Sequence, residues 1–222
     1  MSNDASVIVV GAGPTGLVLA NILGMHGVRT LLVEANPSTV GEPRAVSIDD
    51  ESLRTMQYLG IVDAVRSRIN EGYGSYYFAP SGRCFAKVLP AAEEYGFARR
   101  SAFRQPILEA QLRESLARFA SVSAHFSTTV RAVSQEPERV AVTLESSAGA
   151  QRLSADYVVA CDGARSSIRE SLGIALSGML VERWGLQLTA AGLAAISSLV
   201  GLAMLRSGAL TSPAIAEHGV GT

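Results

Sequence analysis

Apolar and polar positions change their rhythm along the chain and divide it into three sections. Over residues 6–72, strand-like and helix-like runs alternate: 6–10 is an apolar strand, 14–25 a helix, 30–34 a second strand and 49–59 a second helix. This is a βαβ opening. From 73 to 160 the elements shorten. Strands over 75–79 and 84–89 flank the turn signal Pro80-Ser81-Gly82, and a helix spans 107–119. Runs at 130–134, 140–145 and 152–154 then read as a small β-meander. Residues 157–161 read as a buried strand ending in Asp162-Gly163. From Met179 onward the pattern is lost, and the chain shows no internal repeat, Pro-rich linker or long charge run.

The predicted class is therefore α/β: a Rossmann-like dinucleotide-binding domain over 1–178 with a small β-meander, and a divergent apolar tail over 179–222. Of the 222 residues 48% are hydrophobic and 18% charged, a globular balance that argues against disorder. Nineteen Lys+Arg against twenty Asp+Glu leave a net charge of -1, without the basic excess of a nucleic-acid binder. Cys84 and Cys161 stand far apart with no neighbouring thiol or histidine, so neither a zinc cluster nor a disulfide framework is encoded. A reducing cytoplasm fits best. The start Met-Ser-Asn-Asp has no basic patch before its apolar stretch and does not read as a signal peptide.

The main chemical signal is Gly11-Ala12-Gly13-Pro14-Thr15-Gly16, directly after the first strand and opening the first helix. Gly11 permits the tight turn, Gly13 lets a pyrophosphate approach the backbone, and Gly16 lets the helix pack on the strand. The helix N-terminus then faces the anion. Glu34 ends the second strand 18 residues after Gly16, where a carboxylate can accept hydrogen bonds from both ribose hydroxyls of an adenosine and would repel a 2'-phosphate.

NAD and FAD present the same ADP half to this motif, so other residues must separate them. Arg44 follows the second strand and reads either as a ligand for phosphate or flavin or as a solvated loop arginine. Arg104-Gln105 precedes a helix starting near Pro106, a place for ligand contacts or for simple capping. Asp162-Gly163 lies at the carboxyl edge of the sheet, where open α/β folds bind ligands; the competing reading is a strand-to-helix turn capped by Asp162.

Together these stretches resemble the single-component FAD-dependent aromatic hydroxylases of the p-hydroxybenzoate hydroxylase fold. The glycine fingerprint and Glu34 match the family's first motif, and the run from Tyr157 through Asp162-Gly163 to Ser166 looks like its DG motif. The 3-(3-hydroxyphenyl)propionate hydroxylase branch is nearer still. Pro43-Arg44-Ala45, Ile48-Asp49-Asp50-Glu51, Gly82-Arg83-Cys84-Phe85-Ala86, Arg99-Arg100 and Gln105-Pro106 look like stretches of it, and the likeness covers residues 6–178.

The resemblance implies that FAD, reduced by NADH or NADPH, uses O2 to hydroxylate a small phenolic substrate. The cofactor then carries the hard chemistry, in keeping with the lack of a nucleophile elbow, Walker loop or HExxH motif and with only three histidines, His26, His125 and His218. By the same resemblance, the fingerprint residues and Glu34 hold the ADP half. Arg44 and Gln105 face the pyrophosphate or ribityl side, and Asp162 with Gly163 contacts FAD and influences NAD(P)H use.

Family members are longer, adding a substrate-covering sheet and a second, Gly-Asp flavin motif, so the expectation is a flavin-binding portion that is incomplete as a catalyst. The alternatives are a non-catalytic dinucleotide-binding fragment and an NAD-dependent dehydrogenase module, the latter disfavoured because no hydride-transfer acid or base is apparent. Trp184 to Leu205 runs 22 residues without a charge. As a helix it would be about 33 Å long, enough for a bilayer. Half of it is Gly, Ala, Ser or Thr, which favours a soluble apolar helix or an unrelated tail over a membrane span.

Overall fold

The computed structural model describes residues 4–39, 41, 45–90, 93 and 95–174. In chain order the elements are β1 (Ala5–Val10), α1 (Pro14–Met25), β2 (Thr30–Val33), β3 (Ser47–Asp49), α2 (Asp50–Tyr58), α3 (Val62–Arg66), β4 (Asn70–Glu71), β5 (Ser75–Phe78), β6 (Cys84–Val88), β7 (Arg100–Ala102), α4 (Gln105–Ser115), β8 (Val122–His125), β9 (Thr129–Gln135), β10 (Val140–Ser146), β11 (Gly149–Ala160) and α5 (Ser167–Ser171). Residues Met1–Ser171 form one unit by their contacts. The boundary expected at 178 lies outside the described residues, as do Arg44 and the apolar run 184–205. Among the described residues no helix is long and apolar enough to cross a membrane.

The main sheet has six strands in the order β8-β2-β1-β11-β10-β9. β8, β2, β1 and the second half of β11 run parallel, while β10 pairs antiparallel with β11 and β9. Side chains alternate faces along a strand, so β1 feeds two cores. Val7 and Val9 pack with Leu17, Leu32 and Leu112 on the helical side. Ile8 and Val10 pack with Leu31, Val33, Val142 and Leu144 on the other. The meander thus covers the face that a helix layer covers in other doubly wound folds. Leu112 is fully buried, and truncating it to alanine should cost about 3 kcal/mol. Asn21 joins the helices on this face: its Nδ2 donates to the carbonyls of Leu17 (2.8 Å) and Leu112 (2.9 Å), and its Oδ1 accepts from Ser115 Oγ. Every polar end of this buried side chain is satisfied, which holds α1 against α4.

Three expectations change. The strands expected at 152–154 and 157–161 are one strand, β11, because nothing between them breaks an extended chain. Gly149 to Ala155 pairs with β10 and Ala155 to Ala160 with β1. Nor is its end buried on both faces, since Tyr157 is 68% exposed among the described residues. The helix expected over 107–119 begins at Gln105 and ends at Ser115, tightening into a 3-10 turn over Leu116–Arg118. Pro106 explains the early start, because in the first turn its missing N–H costs nothing and its φ is preset. A second sheet, β3-β7-β4, was not legible at all; its strands are two or three residues long, too short to show a period.

Candidate functional site: a nucleotide cleft at the carboxyl edge of the sheet

Three strand ends meet at one edge. Gly11 N–H donates to Val33 O at 2.8 Å, and Cys161 N–H donates to Val10 O at 2.7 Å, so the ends of β1, β2 and β11 are tied where open α/β sheets place ligands. The three fingerprint glycines do different work. Gly11 sits at φ +104°, and a Cβ there would lie 2.4 Å from Cys161 O. A Cβ on Gly16 would lie 1.9 Å from Gly11 O. Both positions are needed for the fold. Gly13 differs: its φ of -74° suits any residue, and a Cβ there would meet nothing within 4 Å among the described residues. Its smallness leaves room for a ligand.

The N-terminus of α1 lies beside that room. Pro14 is its first residue, no side chain caps it and no acid lies in its first turn, so its amide groups and positive dipole end are available to an anion. Across the turn, Glu34 Oε2 accepts from Ala12 N–H at 2.7 Å, and Oε1 accepts from Asn36 N–H (2.9 Å) and Nδ2 (2.6 Å). Glu34 therefore ties the glycine turn to the end of β2. Gly13, Thr15, Glu34, Asn36, Asp162 and Gly163 are among the residues around a recess of about 360 Å³. Asp162 Oδ1 is buried without a hydrogen-bond partner among the described residues, a cost to the fold that no described contact offsets. Asp162 does not cap α5; Ser166 does, its Oγ accepting from Arg169 N–H at 3.0 Å. Burial pushes the Cys161 thiol up, with the Asp162 carboxylate adding to it, which disfavours the thiolate.

On the other side of the α1 N-terminus a second, more apolar groove of about 820 Å³ runs between α1, α2 and α4, with Val18, Ala45, Met56, Gln105 and Leu108 in its walls. Gln105 Oε1 accepts from Ala45 N–H at 2.9 Å and its Nε2 donates to Glu109 Oε1 at 2.7 Å. Pro14, Thr15 and Cys161 line both recesses, so a ligand with one polar and one flat apolar half can span them across the helix end. No cluster of metal-ligating side chains occurs among the described residues.

Residues 4–199 match the model of the FAD binding domain family. The chain belongs to that family. This FAD binding domain is similar to the 3-(3-hydroxy-phenyl)propionate/3-hydroxycinnamic acid hydroxylase of Comamonas testosteroni, 42% identical over 177 residues, 79% of this chain and 30% of the relative. The hydroxylase of the same name from Burkholderia cenocepacia (strain HI2424) is 44% identical over 177 residues, 79% and 33% of the two chains. Among solved structures, p-nitrophenol 4-monooxygenase from Pseudomonas putida DLL-E4 superposes with a TM-score of 0.73 at 28% identity, covering 78% of this chain and 44% of that one. Aklavinone-11 hydroxylase, solved with FAD and aklavinone, gives 0.67 at 25% identity, covering 78% and 35%. The chain spans about a third of the length of the curated relatives it matches. The family resemblance read from the motifs and the α/β class both hold.

The residues present fit FAD: an uncapped helix end and open space at Gly13 lie at one recess, which Asp162 also lines. Gly11, Gly13, Pro14, Thr15, Glu34, Asp162 and Gly163 come together around it, Ala12 and Gly16 shape the turn beneath, and Gln105 lies in the second groove. Asn36 and Glu109 were missed. The spacing Gln105-x-x-x-Glu109 puts both on one helix face beside Leu108 and Leu112, and that acid among core positions was the available signal.

Proposed function

We propose that this FAD binding domain holds the flavin of a monooxygenase that hydroxylates a small phenolic substrate, with NADH or NADPH as electron donor and O2 as co-substrate. The observation that carries the reading is the pair of recesses, the first more polar than the second, that share the N-terminus of α1. The names of the relatives support it. When bound, FAD would supply the redox chemistry, taking reducing equivalents from the nicotinamide and passing them to O2.

The chain's own residues bind and orient. Gly13 and the first turn of α1 would take the pyrophosphate, and Glu34 the ribose. A carboxylate has about four acceptor sites. Three are in use at Glu34, so gripping both ribose hydroxyls requires the exposed Asn36 amide to swing out. Asp162 and Gly163 would meet the cofactor from the end of β11, and Gln105, with Arg44 by its likeness to the family, from the second groove. That groove is not enclosed by the described residues, and oxygen transfer needs water kept from the reacting atoms, so we take this stretch as cofactor-holding and not self-sufficient. We take 1–178 as the FAD-binding stretch and 179–222 as a tail, although the family match continues past that boundary to residue 199. A cytoplasmic location suits the two free cysteines.

The test is the visible absorption of the purified chain titrated with FAD, beside calorimetry with ADP. Bound flavin supports the reading; ADP binding without flavin binding would leave a nucleotide site and remove the flavin function. ADP should bind about tenfold more tightly than its 2'-phosphorylated analogue, because Glu34 repels the added charge. Equal affinities would take Glu34 out of the ribose role. With NAD(P)H, O2 and a panel of phenols, peroxide without hydroxylated product is expected from the 222-residue chain.

A further inference from the structure

Glu109 lies near the start of α4, only 2% exposed, between the core residues Leu108 and Leu112. Burying a carboxylate is costly, and Gln105 is one of the groups that hold it. Its Oε1 accepts from Gln105 Nε2 at 2.7 Å, one helical turn away, while Gln105 Oε1 accepts from Ala45 N–H at 2.9 Å. A free glutamine amide can present either end. Here both ends are specified, because a carboxylate only accepts and a backbone N–H only donates; a flipped amide would lose both bonds at once.

We infer that Glu109 is a positioning residue: through Gln105 it fixes Ala45 at the wall of the apolar groove. This rests on the reading of that groove as the flavin side. The polar recess at Gly13 and Glu34 shares no residue with the lock, so the two halves of the cofactor should respond differently.

The experiment compares Glu109→Leu, Glu109→Asp and Glu109→Gln with the unmodified chain by amide hydrogen exchange at Ala45 and by FAD and ADP affinity. Glu109→Leu removes the acceptor and Glu109→Asp keeps the charge but shortens its reach. Each should speed Ala45 exchange and weaken FAD by about tenfold while ADP changes less than about twofold. Glu109→Gln should restore the Ala45 exchange rate, since its amide oxygen can accept the same bond. Unchanged Ala45 exchange in Glu109→Leu and Glu109→Asp overturns the proposal, and so does an equal loss of ADP and FAD, which a merely structural defect would give. If Glu109→Leu does not fold, Glu109→Asp carries the test. Should the unmodified chain bind ADP and not FAD, the flavin reading fails, while Ala45 exchange still decides whether the lock exists.

Discussion

The two recesses beside the α1 N-terminus are built in opposite ways. The polar one draws on strand ends and the turn between them, with Gly11 to Gly16 contiguous in the chain, Glu34 directly beyond β2 and Asp162 two residues beyond β11. The apolar one is assembled from segments with no local motif in common, among them α1, α2, α4 and Ala45, and carries a hydrogen-bond relay in which the Ala45 N–H donates to Gln105 and Gln105 donates to Glu109. A backbone-built site is specified by residues that must be small or absent. A site built between helices is specified by what packs behind it.

Substitutions that separate the recesses sharpen this contrast. The largest effect is expected from Gly16→Ala, which drives a methyl into the Gly11 carbonyl and should destabilise the fold by about 3 kcal/mol, removing both recesses together. Chemical denaturation checks it, and a native-like midpoint would show that the turn can yield. Gly13→Val should do the reverse, keeping the denaturation midpoint and lowering ADP and FAD affinity by at least about a hundredfold, because its side chain occupies open ligand space without backbone strain. Retained ADP affinity in that variant would move the pyrophosphate elsewhere.

Asp162→Ala sets stability against binding. It removes an orphaned buried oxygen, so the free chain should gain about 1 kcal/mol in denaturation while its FAD affinity falls. Loss of stability instead would mean that Asp162 serves the fold. The smallest effect concerns Asp49, in the wall of the apolar groove, which caps α2 by accepting from Ser52 N–H at 2.8 Å. Hydrogen bonding with Ser52 holds its carboxyl below the ordinary value of 3.8. The folded value is the depressed one, so its contribution is present above 3.8 and is lost as pH falls through the folded value. Asp49→Ala should cost about 1 kcal/mol at neutral pH and flatten the acid limb of the stability curve. An unchanged limb would assign acid sensitivity to other carboxylates.

The legible part of the site follows the same division. The fingerprint, Glu34 and Asp162-Gly163 were readable because each is a backbone requirement or a charge at a strand end, and the structure brings them around one recess. The start of α4 was read two residues late, which left Gln105 outside the helix when it is the first residue within it. Glu109 escaped because an acid in an amphipathic helix reads as solvated unless its face is known, and that face is set by α1 and the sheet. The two halves of β11 were read as separate strands because burial changes along it while the backbone does not, and only pairing with β10 and then β1 makes it one element.

By itself the sequence determined the α/β class, the glycine turn, its carboxylate and the family, since these depend on local backbone sterics and on period. Tertiary structure alone decided which glycine is open to a ligand, that the meander forms the second core of β1, and that a buried glutamate orients Gln105. Those properties depend on distances between segments far apart in the chain, which no local pattern encodes.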